Sequence, residues 1–136
     1  MPAVKEKTMR TVVLVDGSRP SLEGLASLLR SDGRPDELVL LYVAPSARQA
    51  DLEQGERALE VARDTCKQLG PEVRVTPRLE IGEAVERTRI VAKEEGVDTV
   101  AMSRHDAGSF PYLDREAAGT KKLCEECVDY PVEVLN

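Results

Sequence analysis

Apolar residues fall into two kinds of stretch along this chain: short unbroken runs, and longer segments in which they recur every third or fourth position. The first run, Thr11 to Val15, is too short for a helix and rich in β-formers, so it predicts a strand buried on both faces. It stops at Asp16-Gly17-Ser18. Gly17 permits a sharp turn, and Ser18 can cap a helix beginning near Pro20, a residue type favoured in a first turn. Leu22, Leu25, Ala26, Leu28 and Leu29 then mark one helix face, which runs out at Ser31-Asp32-Gly33. A second apolar run, Glu37 to Val43, is closed by Ala44-Pro45 and predicts another buried strand whose end lies level with Asp16.

From about Arg48 to Leu69 the positions Leu52, Ala58, Leu59, Val61, Ala62, Cys66 and Leu69 trace the inner side of a long helix. Gly55 is its weak point, and Gly70-Pro71 stops it. Glu72 to Ile81 alternates apolar with polar and contains Pro77, which fits only an edge or a bulge, so this strand belongs at the rim of the sheet. Gly82 turns the chain into a third helix, about Glu83 to Glu95, with Ala84, Val85, Ile90, Val91 and Ala92 inward and Gly96 at its end. Val97 to Met102 reads as the next strand, and 103–118 as a long aperiodic loop of the kind that serves function or moves. A helix over about Thr120 to Cys127 and a short strand, Pro131 to Leu135, complete the order β-α-β-α-β-α-β-α-β. Short connections in that order predict a single domain over 1–136: an α/β fold, a three-layer α/β/α sandwich on a five-stranded, mainly parallel sheet, right-handed at each crossover. In such sheets ligands bind at the carboxyl ends of strands, which puts Asp16 at the mouth of a crevice.

Composition narrows the partners. With no Trp and one Phe, the core must be built from Val, Leu, Ile and Ala, and the net charge of −6 argues against a broad nucleic-acid or anionic-membrane surface. The first ten residues lack the apolar core of a secretory signal, and no stretch approaches the roughly 18 apolar residues of a membrane span, so the expected location is cytoplasmic. Three cysteines, an odd number, suit a reducing compartment rather than a disulfide framework. Cys124 and Cys127 have CxxC spacing but fall late in their helix beside Glu125 and Glu126, where dipole and charge both disfavour a thiolate. Zinc would need Cys66 and His105 to join them. His105, the single histidine, has no Ser or Cys arranged beside it for nucleophilic catalysis, so neither catalytic nor metal-ligating residues are assigned. Asp16, read by itself, fits a turn and helix cap as well as a ligand contact.

Val13 to Ser18 with Ser21, Leu41-Tyr42-Val43 before Pro45, Gly82, Val97 to Arg104, Gly119-Thr120 and the terminal Pro131-Val132 together resemble a universal stress protein domain along the whole chain. The resemblance implies strand order 3-2-1-4-5 and a homodimer formed through the last strand, with Val132 and Val134 on the dimer edge. It also implies that Asp16, with Gly17 and Ser18 beside it, and the backbone of Val43 hold the adenine end of ATP or AMP, with Mg²⁺ only if ATP is bound. In the nucleotide-binding members a loop written Gly-x2-Gly-x9-Gly-[Ser/Thr] after strand four holds ribose and phosphate, which assigns Ser103, Arg104, Gly119 and Thr120 here. The loop departs from that pattern: Ser103 and Asp106 stand at the glycine positions, and twelve residues separate Asp106 from Gly119. Counting instead from Gly108 puts His105 at the earlier glycine, so no register restores it. Asp106 would repel a triphosphate, whereas Arg104, His105, Lys121 and Lys122 suit a smaller anion. The expected function is therefore a dimeric regulatory or stress-response module with weak or no ATP binding. The alternatives are ATP or AMP binding through Asp16 and Val43, slow ATP hydrolysis, and thiol redox chemistry at Cys124 and Cys127.

Overall fold

A computed structural model describes residues 9–103 and 132–135, with side chains over 9–102. Along the chain it gives β1 (Arg10–Leu14), α1 (Arg19–Arg30), β2 (Glu37–Ala44), α2 (Gln49–Leu69), β3 (Arg74–Ile81), α3 (Ala84–Glu95), β4 (Thr99–Ser103) and β5 (Val132–Leu135). The strands are parallel, so the α/β architecture with a parallel sheet is as the pattern predicts. Strands with described side chains run β3-β2-β1-β4, and the backbone of β5 pairs with β4 beyond them. The helix expected over 120–127 and the loop after Ser103 lie outside the described residues.

Parallel strands buried on both faces must be apolar throughout, and β2 shows it: Leu38 to Ala44 are all buried. Alternation then sends successive side chains to opposite faces. Val13, Leu40 and Tyr42 pack with Leu25, Leu29, Ala58 and Ala62 under α1 and α2, while Leu14, Leu41 and Val43 pack with Val85, Val91 and Ala92 under α3. Helices thus cover both faces, as right-handed crossovers require when the chain runs outward from β1 to β3 and then returns to β4.

Three local expectations are corrected by the packing. Val61 was expected inward but is 43% exposed, because α2 turns its Ala58–Ala62 seam to the sheet and leaves Val61 at the stripe's margin. In α3 the inner place goes to Thr88, fully buried, and Ile90 is only half-buried; the Thr88 hydroxyl donates to the Ala84 carbonyl at 2.7 Å and needs no other partner. Helix α1 ends on Ser31 in an extended conformation, at the start of the Ser31-Asp32-Gly33 stop. Gly55, expected as a flaw, is a fitted contact: a Cβ there would lie 2.6 Å from Leu79 Cδ1 and 2.7 Å from Tyr42 Cδ1.

The rim position of β3 is as Pro77 predicts. That edge is further guarded by charge. Arg78 pairs with Glu80 at 2.7 Å and with Glu94 and Glu95 at 3.0 Å, tying the open strand to the end of α3. The hydrogen bonds that the guanidinium donates to Glu80, then those to Glu95 and Glu94, hold it well above its ordinary pKa.

Candidate functional site

Going outward from β1, the sheet continues to β2 on one side and to β4 on the other, so the direction of winding reverses between β1 and β4. A cleft opens at the carboxyl ends of strands where this happens. The β1–β2 pairing, Val13 with Leu40 and Leu14 with Leu41, brings Val43 level with Asp16 when continued at the same offset. The β1–β4 pairing, Val13 with Ala101, likewise brings Ser103 level with Val15. The strand tips that carry Asp16, Val43 and Ser103 therefore meet in one place.

Backbone parity decides which way Val43 faces. In parallel sheets a residue directs its N–H and C=O to the same neighbour, and alternate residues alternate sides. Leu41 accepts from Val15 N at 2.9 Å, so Leu41 and Val43 face β1; Ala44 accepts from Gly82 N at 3.0 Å and faces β3. The Val43 carbonyl is thus directed to the side where β1 has already turned away toward α1.

The turn itself is a small knot of hydrogen bonds. Asp16 Oδ1 accepts from Ser18 N at 2.8 Å, Asp16 N donates to Ser21 Oγ at 3.2 Å, and Ser18 Oγ accepts from Ser21 N at 3.3 Å as the N-cap of α1. Gly17 takes φ +82°, and the turn sits so low on α2 that a Cβ would lie 3.1 Å from Ala58 Cβ. The turn role of Asp16 is thus met by one oxygen alone. The other, Oδ2, is buried and has no hydrogen-bond partner among the described residues. Leaving a buried carboxylate oxygen unpaired costs about 1–3 kcal/mol or more, so such an atom calls for an explanation. The second orphan, Arg87 Nε, has one at hand: its guanidinium pairs with Glu80 at 3.8 Å, and Nε is merely covered where the side chain passes Gly82.

Tyr42 and Asp51 belong to the same neighbourhood, and neither stood out in the sequence. Burial first, then the carboxylates of Asp51 and Asp16, push the Tyr42 hydroxyl above its ordinary pKa, so the phenol stays protonated at neutral pH between two acids. Asp51 is held in place by Ser46 Oγ, which donates to its Oδ2 at 2.5 Å. The chemical character of the cleft is consequently acceptor-rich: a buried carboxylate oxygen without a partner among the described residues, a strand-end carbonyl and a second carboxylate nearby. That suits a ligand presenting N–H donors, such as an amino group on a heterocycle. Among the described residues no three His, Cys, Asp or Glu side chains are grouped to hold a metal ion.

Two hollows flank Gly17. One, about 200 Å³, is lined by Asp16, Gly17, Gln54, Arg57, Ala58 and Val61. The other, about 600 Å³, runs between α1 and α2 past Gly17, Arg19, Leu22, Ala26 and Arg30. Of the residues assigned from the sequence, Asp16, Gly17, Ser18, Val43 and the backbone of Ser103 come together at the strand tips. Arg104, Gly119 and Thr120 lie outside the described residues, as do His105, Asp106, Lys121, Lys122, Cys124 and Cys127.

Cys66 lies far down α2, buried against Val73, and burial alone pushes its thiol up to about 11. Its reaction with an aromatic disulfide at pH 8 is expected to be slow in the folded protein and fast in denaturant; equal rates would show that the α2 seam is open. Because the unfolded chain gives up this proton sooner, the stabilisation is complete below about pH 8.5 and is lost as the pH rises toward the folded value.

No described helix is long and apolar enough to cross a membrane. Comparison with solved structures finds the same fold in several proteins of low sequence identity. A universal stress family protein from Burkholderia pseudomallei is 22% identical, with 94% of this chain and 96% of that one covered and a TM-score of 0.69. The universal stress protein of Archaeoglobus fulgidus in complex with dAMP is 14% identical, with 94% and 98% covered and a TM-score of 0.73. A universal stress family protein of Arabidopsis thaliana with AMP bound is 15% identical, with 93% and 90% covered and a TM-score of 0.64. No curated protein sequence matches the chain. The model of the universal stress protein family, in contrast, matches residues 7–113, most of the length. With the strand order, the Asp-Gly-Ser turn and that match in agreement, the chain belongs to the universal stress protein family.

Proposed function

We propose that this chain is a regulatory module of its family that holds an adenine nucleoside or its 5′-monophosphate at the tips of β1 and β2, and binds ATP weakly. The observation that carries the reading is the buried Oδ2 of Asp16, without a partner among the described residues and level with a strand-end carbonyl: an exocyclic amino group would satisfy both acceptors at once. Relatives of the same fold carry AMP and dAMP, ligands with that amino group. Preference for the monophosphate follows from the sequence after β4, where Ser103 and Asp106 replace the glycines that would let backbone N–H groups approach a longer phosphate chain. Mg²⁺ would matter only for the triphosphate. Calorimetric titration with adenosine, AMP and ATP, with and without Mg²⁺, tests the reading. AMP is expected to bind at least about tenfold more tightly than ATP. Tighter ATP, or no adenine ligand bound at all, would overturn it.

The reading takes residues 1–136 as one domain: a five-stranded three-layer sandwich in the order 3-2-1-4-5. It also places the protein in the cytoplasm. The assembly it favours is a homodimer through β5. That strand ends the sheet, and Val132 and Val134 alternate along it with no Pro inside the strand to block pairing, unlike β3 at the other rim. Removing residues 131–136 is expected to yield a folded monomer by light scattering; a dimer that survives the truncation would refute the β5 interface.

A further inference from the structure

Gly17 is a shared wall. On one side lies the hollow that Asp16 shares with Arg57, and on the other the groove that begins at Arg19. Neither guanidinium makes an ion pair or hydrogen bond to any described residue, while Arg10, Arg48, Arg78 and Arg87 are all paired with acids elsewhere. We propose that Arg57 and Arg19 form an anion subsite astride Gly17 that takes the phosphate of a nucleoside monophosphate, in place of a glycine loop after β4. The inference rests on the adenine reading of Asp16 and extends it to the other end of the ligand.

Three physical points carry it. First, the groove at Arg19 has the volume of an ordinary small-molecule site, whereas the hollow beside Asp16 is too small for a whole nucleotide. Second, Gly17 is the thinnest wall the chain can place between them: without a Cβ the turn rests on Ala58, and any side chain at φ +82° would be strained as well as in the way. Third, the charges match one phosphate group and no more. Two guanidiniums balance a dianion, but Asp16 in the hollow with Arg57 and Glu23 in the groove with Arg19 oppose a longer polyphosphate.

The test uses the full chain and the variants Arg57→Gln and Arg19→Gln, each titrated with adenosine and with AMP. Wild type is expected to favour AMP over adenosine by roughly tenfold, since charge-assisted contacts to phosphate are the strong ones. Each variant is expected to lose most of that advantage while binding adenosine as before. An AMP preference that both variants keep, a variant that weakens adenosine and AMP alike, or a wild type that does not distinguish them would overturn the subsite and leave the adenine reading standing. If adenosine fails to bind, the adenine reading falls, and inorganic phosphate then decides the subsite. Shifts of the Arg57 and Arg19 side-chain Nε resonances on phosphate titration would sustain it, and unmoved resonances would overturn it.

Discussion

Asp16→Asn is expected to weaken adenosine and AMP binding by roughly 10- to 100-fold while leaving the fold intact, because a hydrogen bond to a charged acceptor is worth about 1.5–3 kcal/mol. The substitution is chosen for what it keeps. Asn has the same shape, and its carbonyl oxygen can take over from Oδ1 as acceptor for Ser18 N, preserving the turn and the cap on α1. With that oxygen committed, the NH₂ group occupies the place of Oδ2 and presents donors to a ligand amino group that is itself a donor. Binding is lost through a reversed hydrogen-bond polarity, not through a rearranged turn. Stability is expected to hold or rise slightly, since a buried group without a partner stays but no longer carries a charge. Unchanged affinity would mean that Oδ2 serves only the local electrostatics of Tyr42.

Gly55→Val is expected to destabilise the protein by about 3 kcal/mol, at the upper end for an overpacked core site. A thermal midpoint about 10 °C lower is the corresponding observable. Helix propensity argues the other way, since Gly costs a helix interior about 1 kcal/mol relative to Ala. Packing wins because Tyr42, 4% exposed and wedged between β2 and α2, cannot yield to a new Cβ, even though the end of Leu79 can. Gly55→Ala sets the sign of the contest: no net stabilisation is expected, and a gain of the full propensity value would show that α2 does not rest on Tyr42.

The same glycine shows where sequence and structure part. Periodicity located every described strand and helix, since buried parallel strands and helix faces leave strong apolar signatures, and Pro77 identified the rim strand from its missing N–H. What it missed depends on approach distance and on polar atoms satisfied within their own helix. Gly55 is read correctly only once the Tyr42 ring is known to lie against it. Thr88 takes an inner position because its hydroxyl is satisfied one turn back at Ala84, which a count of apolar residues cannot register. In the site, Asp16 and Val43 were legible because strand ends are legible. Tyr42 and Asp51 were not, since their common neighbourhood with Asp16 arises from packing β2 and α2 beside the first turn. Arg57 was hidden for a similar reason: on a helix face crowded with charges, nothing in the sequence distinguishes the guanidinium that borders a cleft.

A crystal structure of the full chain with AMP shows directly whether Asp16 holds the base. The purine is expected at the tips of β1 and β2, with its exocyclic nitrogen about 2.7–3.2 Å from both Asp16 Oδ2 and the Val43 carbonyl. AMP bound elsewhere on the molecule, or an Asp16 Oδ2 still without a partner under saturating AMP, would contradict it.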